Sequence, residues 1–289
     1  MIRFKVPATS ANVGPGFDTF GIAYTLCNKY KVEKSKEMLI EGCDPQFTTK
    51  DNLFNVAFLA TMKELKKTGS FHVYYKQTIP AYRGLGSSAS VVIAGCETAN
   101  LLYGGRKKLS KEKIFQIASK IEGHPDNIAP AIFGGLTVST KLDDGTYFCK
   151  KYKVSKKLSF QILIPDFKVP TEEARKILPD KYNKEDVIKM ISHSTLMVEA
   201  LRTGDFKLLK EVSHDYVHEP YRKNLIKDYD YIKKEVEKDG EAVLLISGSG
   251  PTLLVISKKK DFYKQIKLKQ TYANWIIMKL NVKDSPSIK

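Results

Sequence analysis

The sequence predicts an α+β protein built in two halves. In the first half, a strand-like alternation passes through a glycine loop into a long run of small apolar residues without proline. In the second half, strands and helices follow the order βαββαβ, the order of a ferredoxin-like unit, here with extra helices. The polar stretch Lys150 to Lys157 separates the two patterns. The expected domains are therefore residues 1–154 and 155–289, each long enough to enclose its own core.

Taken in order, Ile2, Phe4 and Val6 alternate as a half-buried strand does. Pro7 to Asp18 is rich in glycine, proline and small polar residues and reads as a loop. Phe71, Val73 and Tyr75 alternate again and stop before Pro80, while Ser88 to Leu102 predicts a buried helix. Ser110 can cap the next helix, in which Ile114, Ile117, Ala118 and Ile121 share one face and which Gly123 and Pro125 end. Phe160 to Ile164 predicts a strand, followed by helical segments near 171–178, 184–203, 205–217 and 223–239. Ala242 to Ile246 and Thr252 to Ile256 flank the turn SGSGP. An amphipathic segment from Asp261 then leads to a last strand around Trp275 to Leu280.

Composition narrows the function. With 42% hydrophobic residues, 18 glycines and 12 prolines, the chain is globular rather than disordered or fibrous. Arg3 and Lys5 are not followed by an apolar stretch, and no run nears the roughly 18 apolar residues that span a bilayer. A cytoplasmic protein without a membrane partner is expected. Cys27, Cys43, Cys96 and Cys149 are far apart and form no CxxC pair, so reduced, mostly buried thiols are expected rather than zinc or disulfides. The formal charge of +16 is dispersed through amphipathic segments. This favours attraction for small anions over a nucleic-acid stripe, and no nucleic-acid partner is expected. His214 and His218 stand four apart, but HDYVH lacks the glutamate of HExxH and a third ligand.

PAYRGLGSSAS, residues 80 to 90, has the make-up of a phosphate cradle but no Walker lysine. Its GxGxxA spacing also fits a dinucleotide fingerprint. That reading fails on context, because Tyr75 to Thr78 is polar and Pro80 to Arg83 separates the strand from the glycines. A helix N-terminus supplies unpaired N–H groups and a partial positive charge, so glycines that permit close approach can hold phosphate without lysine. A magnesium ion carried by the nucleotide would supply further charge, with the hydroxyl of Ser87 or Ser88 as a candidate ligand.

PATSANVGPGFDTFG (7–21), PAYRGLGSSAS (80–90), EGHPDNIAPAIFGG (122–135) and ISGSGPTL (246–253) resemble, in the same order, the motifs of the GHMP kinases. The first and third stretches, with EARKILP (173–179) and EPYR (219–222), are similar to the homoserine kinase pattern within that family, and the resemblance covers nearly the whole chain. It implies the two-domain GHMP kinase fold, a homodimer, and transfer of phosphate from ATP, with Mg2+, to the hydroxyl of L-homoserine. It further implies a nucleotide site formed by Pro80, Arg83, Gly84, Leu85, Gly86, Ser87, Ser88, Ala89 and Ser90, with Asn55 near the adenine. The metal candidates are Ser88 and Glu122.

An amino-acid substrate needs a carboxylate for its ammonium and a planar cation for its carboxylate, and arginine suits the second because it donates two parallel hydrogen bonds. The candidates are Asn12, Asp18, Arg175, Arg222 and the backbone at Gly248, with Asp126, Asn127 and His124 nearest the chemistry. Asp126 reads either as a proton acceptor or as the ammonium partner. Thr171, ahead of Glu172 and Glu173, fits a helix N-cap.

Overall fold

The first seven residues of the predicted loop are mostly strand. In the computed structural model, which describes residues 1–286, β1 (Ile2–Asn12) runs into β2 (Gly16–Ser35) through a tight connection. Val6 to Asn12 is buried on both faces, so its residues are small and show no alternation, and register shifts at Pro7/Thr9 and Ala11/Asn12 bend the pair. These features explain why residues 7–12 and 16–18 read as loop in the sequence.

The long strand β2 is the hub of the first sheet. It pairs along much of its length with β1, at one end with β4 (Ser70–Lys76), and at the other with β5 (Leu136–Lys141). The sheet runs β3-β4-β2-β5-β6, where β3 is Leu39–Glu41 and β6 is Tyr147–Tyr152, and β1 lies off this path on β2. Four helices cover it: α1 (Leu53–Leu65), α2 (Ser87–Tyr103), α3 (Lys111–Glu122) and α4 (Ile128–Phe133). The helix expected from Ser88 is α2, whose Val92, Ile93, Ala94 and Cys96 are fully enclosed among Phe54, Phe58, Phe71 and Ile114. Ser110 caps α3 by accepting from Lys113 N–H, and Gly123 ends it.

The second sheet has the order β10-β7-β9-β8, all antiparallel, from β7 (Ser159–Ile164), β8 (Ala242–Ile246), β9 (Leu253–Ser257) and β10 (Ile276–Leu280). This is the ferredoxin-like order expected from the sequence. Between β7 and β8 lie α5 (Thr171–Lys176), α6 (Lys184–Thr203), α7 (Phe206–Val212), α8 (Glu219–Arg222) and α9 (Tyr229–Glu237). Two predicted helices are shorter than expected. The segment 205–217 stops at Val212, because Asp215 turns its carboxylate onto the N–H groups of Val217, His218 and Glu219 and starts a new turn. The segment 223–239 opens with a 3-10 turn at Lys223–Leu225 and becomes α-helical only at Tyr229, after Asp228 takes a left-handed conformation (φ +56°). The amphipathic stretch after Asp261 holds only single 3-10 turns at Phe262–Lys264 and Gln270–Tyr272.

One core lies between the first sheet and α1 to α4. A second joins Phe20, Ile22 and Leu85 to Phe160, Ile162, Leu201 and Leu245, so it belongs to both halves. After β10 the chain returns to the first sheet, where Asn281 O accepts from Thr25 N–H and Lys283 N–H donates to Ala23 O. All four cysteines are free, but only Cys96 is buried. Cys27, Cys43 and Cys149 are half-buried, which corrects the expectation of mostly buried thiols.

Candidate active site

The glycine loop enters α2 with Gly84 and Gly86 at φ +69° and +67°. A Cβ at Gly84 would overlap the Ser247 carbonyl, and one at Gly86 would overlap Thr9 Oγ1, so the loop is seated against β1 and the SGSGP turn. Ser247 Oγ donates to Gly84 O (2.7 Å) and shares a hydrogen bond with Ser10 Oγ (2.6 Å), fixing that contact. Gly86 is the N-cap of this 17-residue helix and offers no side-chain acceptor. The first N–H groups and the positive end of the dipole therefore face outward, ready for an anion.

Beside them, Ser88 Oγ donates to Glu122 Oε2 (2.9 Å). Glu122 ends α3, and burial pushes its carboxyl above the usual range, against the lowering effects of His124 and Ser88. His124 Nδ1 meets Asp126 Oδ1 at 3.0 Å, and Asn127 Nδ2 donates to the same oxygen at 3.3 Å. Asn127 is itself held by Thr9 Oγ1, which donates to its Oδ1 at 2.6 Å. Burial works against the His124 cation, yet the hydrogen bond and charge of Asp126, joined by Glu122, carry its pKa above the ordinary histidine value.

Across the cavity, Arg175 makes a two-pronged pair with Asp18, Nη1 to Oδ2 at 3.0 Å and Nη2 to Oδ1 at 2.8 Å. Asp18 sits at φ +53°, and its N–H donates to Asn12 Oδ1 (3.0 Å). Asn12 Nδ2 in turn donates to Gly248 O (2.7 Å). Arg222 is 2% exposed; its Nε donates to Ala174 O (2.9 Å) and its Nη1 to Gly248 O (3.2 Å). Burial and the neighbouring Arg175 push its pKa down to about 10, leaving it charged at neutral pH.

These groups line one cavity of about 630 Å³. Of the residues singled out in the sequence, the cavity brings together Gly84, Gly86, Ser87, Ser88, Glu122, His124, Asp126 and Asn127 with Asn12, Asp18, Arg175, Arg222 and Gly248. Arg83 also lines it; its Nε and Nη2 donate to Pro165 O and Asp166 O and tie the halves together, while its Nη1 has no partner among the described residues. Five expected residues are absent from the lining. Leu85, Ala89 and Ser90 face the core, where Ser90 meets Asn28 and Tyr30. Pro80 borders a shallow neighbouring cavity, and Asn55 turns away to donate to Lys50 O. Asn52, which caps α1, lines the cavity in its place.

Leu53 and Phe54, the apolar neighbours of Asn55 in the sequence, do line the cavity, but the rest of its apolar end, Tyr30, Ile40, Val73, Tyr75 and Val91, had not been expected. Tyr30 and Tyr75 are register partners on β2 and β4 and stack at 4.9 Å and 3°. The signal was present, since Tyr75 continues the alternation of Phe71 and Val73 on the covered face of β4. Thr171 is the first residue of α5 and not its cap, because Pro170 precedes it in extended conformation; its hydroxyl pairs with Ser249 Oγ (3.2 Å). His214 and His218 share no helix, and among the described residues no His, Cys, Asp or Glu cluster is suited to hold a metal by itself.

Comparison with known proteins gives the family of the chain. Residues 52–135 match the family model of the GHMP kinases N terminal domain, and residues 197–268 that of the GHMP kinases C terminal region. Homoserine kinase of Clostridium botulinum (strain ATCC 19397 / Type A) is 41% identical, covering 98% of this chain and 96% of its own. That of Clostridium acetobutylicum is 37% identical, covering 93% and 92%. The crystal structure of homoserine kinase from Cytophaga hutchinsonii superimposes with a TM-score of 0.86 at 26% identity, over 98% of this chain and 95% of that one. By motif, matched region, full-length identity and architecture, the chain belongs to the GHMP kinase family.

Proposed function

We propose that this protein is a homoserine kinase, which moves the γ-phosphoryl group of ATP to the side-chain hydroxyl of L-homoserine and releases O-phospho-L-homoserine and ADP. The observation that carries this reading is one cavity with an uncapped helix N-terminus at one side and the Asp18, Arg175 and Arg222 charges at the other. The relatives at 41% and 37% identity bear the same name.

In this reading, the loop from Gly84 to Ser88 cradles the phosphates through backbone N–H groups, and the apolar end around Tyr30 and Tyr75 takes the base. Arg222 and Arg175 take the substrate carboxylate while Asp18 takes the ammonium. The zwitterion thereby offers each member of the Asp18–Arg175 pair a new partner of the sign it already has. Asp126, with Oδ1 held by His124 and Asn127, turns its other oxygen to the substrate hydroxyl and accepts the proton as the bond to phosphorus forms. Such transfers depend chiefly on alignment and charge stabilisation.

Mg2+ fits the donor set of Ser88 and Glu122, two oxygens joined by a hydrogen bond beside the helix N-terminus. When bound, it neutralises phosphate charge. The division into domains 1–154 and 155–289, a homodimer and a cytoplasmic location belong to the same proposal. Among the described residues no helix is long and apolar enough to cross a membrane.

The test compares kcat/KM for L-homoserine, 4-hydroxybutyrate, 3-aminopropan-1-ol, L-threonine and mevalonate with MgATP. L-Homoserine is expected to lead, and analogues lacking one charged group to lose about 100-fold or more, since each forfeits the charged contact with Asp18 or with the two arginines. Equal or better use of mevalonate would overturn the substrate assignment.

A further inference from the structure

Arg175 and Arg222 present two like charges to the same cavity, yet among the described residues only Arg175 has a carboxylate partner on its guanidinium. Both approach the ring of Phe17. The Arg222 Cζ is 5.1 Å and the Arg175 Cζ 5.9 Å from its centroid, both within reach of a cation–π contact. The ring is also backed by His218, stacked at 5.4 Å and 28°.

His218 is fully buried, and its Nε2 lies 3.3 Å from Gly14 O, which fixes the imidazole against the segment that leads into Phe17. Burial, with the Arg222 charge adding, lowers its pKa, so this second ring stays neutral and adds no further positive charge. Asp215 Oδ1 accepts from the N–H groups of His218 (2.6 Å) and Glu219 (2.7 Å), pinning the start of α8, whose last residue is Arg222. The chain thus approaches Phe17 from two sides through one buried unit.

We propose that Phe17 is a positioning residue for carboxylate recognition: its π face, buttressed by His218, holds the two guanidinium groups side by side where a substrate carboxylate bridges them. Asp18 balances Arg175 by charge, and Phe17 steadies Arg222, whose Nη2 has no protein acceptor among the described residues, by its ring quadrupole. Two successive residues of β2 therefore set the geometry of both arginines. The inference rests on the proposed function for the identity of the carboxylate, though not for the arrangement of the rings.

The experiment is steady-state kinetics and calorimetric L-homoserine binding for wild type, Phe17→Leu and Phe17→Tyr, with melting temperatures for each. Phe17→Leu keeps an apolar side chain but loses the π face. It is expected to raise KM and Kd for L-homoserine about tenfold, between the sizes of an exposed and a fully desolvated cation–π contact, with a far smaller change in KM for ATP. Phe17→Tyr, which restores the face, is expected to return both to within about threefold of wild type. Unchanged homoserine binding in a folded Phe17→Leu protein overturns the proposal. So does a parallel rise in KM for both substrates with a lowered melting temperature that Tyr fails to rescue, since that marks a packing role. Wild-type protein that neither binds nor phosphorylates L-homoserine would contradict the proposed function instead.

Discussion

Arg222 is a side chain both buried and turned to the cavity. Its Nε and Nη1 are spent on the carbonyls of Ala174 and Gly248, and these two bonds aim the remaining edge of the fork into the cavity. Lysine cannot keep two anchors and a third donor in one plane. Arg222→Lys is expected to raise KM for L-homoserine by about 10- to 100-fold while ATP binding holds, as separate titrations of the two substrates will show.

His124 makes a different prediction. Its folded pKa lies above the ordinary value of 6.5, so the proton is held more tightly in the folded than in the unfolded chain. The stability it contributes is complete below about pH 6.5 and is lost as pH rises through the raised folded value. The melting temperature of His124→Gln should thus fall further below wild type at pH 6 than at pH 9; an equal deficit at both would remove the His124–Asp126 charge pair from the account. At this scale the sequence was informative where chemistry demanded a residue type, as at Asp18, Arg175 and Asp126. It misled at Asn55 and Thr171, because which of two neighbouring polar residues caps a helix or faces a cavity depends on the entry angle of the chain.

At the scale of elements, α2 joins packing to function. Its buried face fixes the helix, and the fixed helix aims its N-terminal N–H groups into the cavity. Two substitutions at its start should therefore separate. Gly86→Val forces a side chain into a left-handed residue and against Thr9 Oγ1, so it should cost roughly 1–3 kcal/mol of stability together with nucleotide affinity. Ser88→Ala removes an exposed hydroxyl and its bond to Glu122, so its melting temperature should stay within about 2 °C of wild type while the Mg2+ needed for half-maximal activity rises. A Ser88→Ala protein with an unaltered Mg2+ requirement would exclude Ser88 from the metal site.

Helices with one covered face were legible, as α3 and α6 illustrate, and β7, β8 and β9, covered on both faces, were legible as short runs of large aliphatic residues. The strand from Pro7 to Asn12 was not, since burial on both faces erases the period of two and small residues then look like a loop. The break at Asp215 was hidden for another reason: an aspartate that caps a new turn and one on a helix surface look alike in sequence.

The whole molecule is held together by a core that ignores the boundary visible in the sequence. Phe20, Ile22 and Leu85 pack with Phe160, Leu201 and Leu245, Arg83 ties the glycine loop to Pro165 and Asp166, and the segment after β10 returns to β2. Thermal unfolding should therefore be one cooperative transition with matching calorimetric and van't Hoff enthalpies. Two resolved transitions would mean that the halves are energetically separate and that the shared core contributes little. The same junction places the glycine loop of the first half opposite Arg175, Arg222 and Gly248 of the second, so the composite cavity and the shared core are two faces of one contact.

Phosphoryl transfer to an amino-acid hydroxyl is the claim that these scales jointly support, and the product tests it most directly. Purified protein incubated with ATP, Mg2+ and L-homoserine should yield, by 31P NMR and mass spectrometry, O-phospho-L-homoserine in amounts equal to the ADP formed. ADP without that phosphomonoester, or no turnover of ATP at all, would contradict the account.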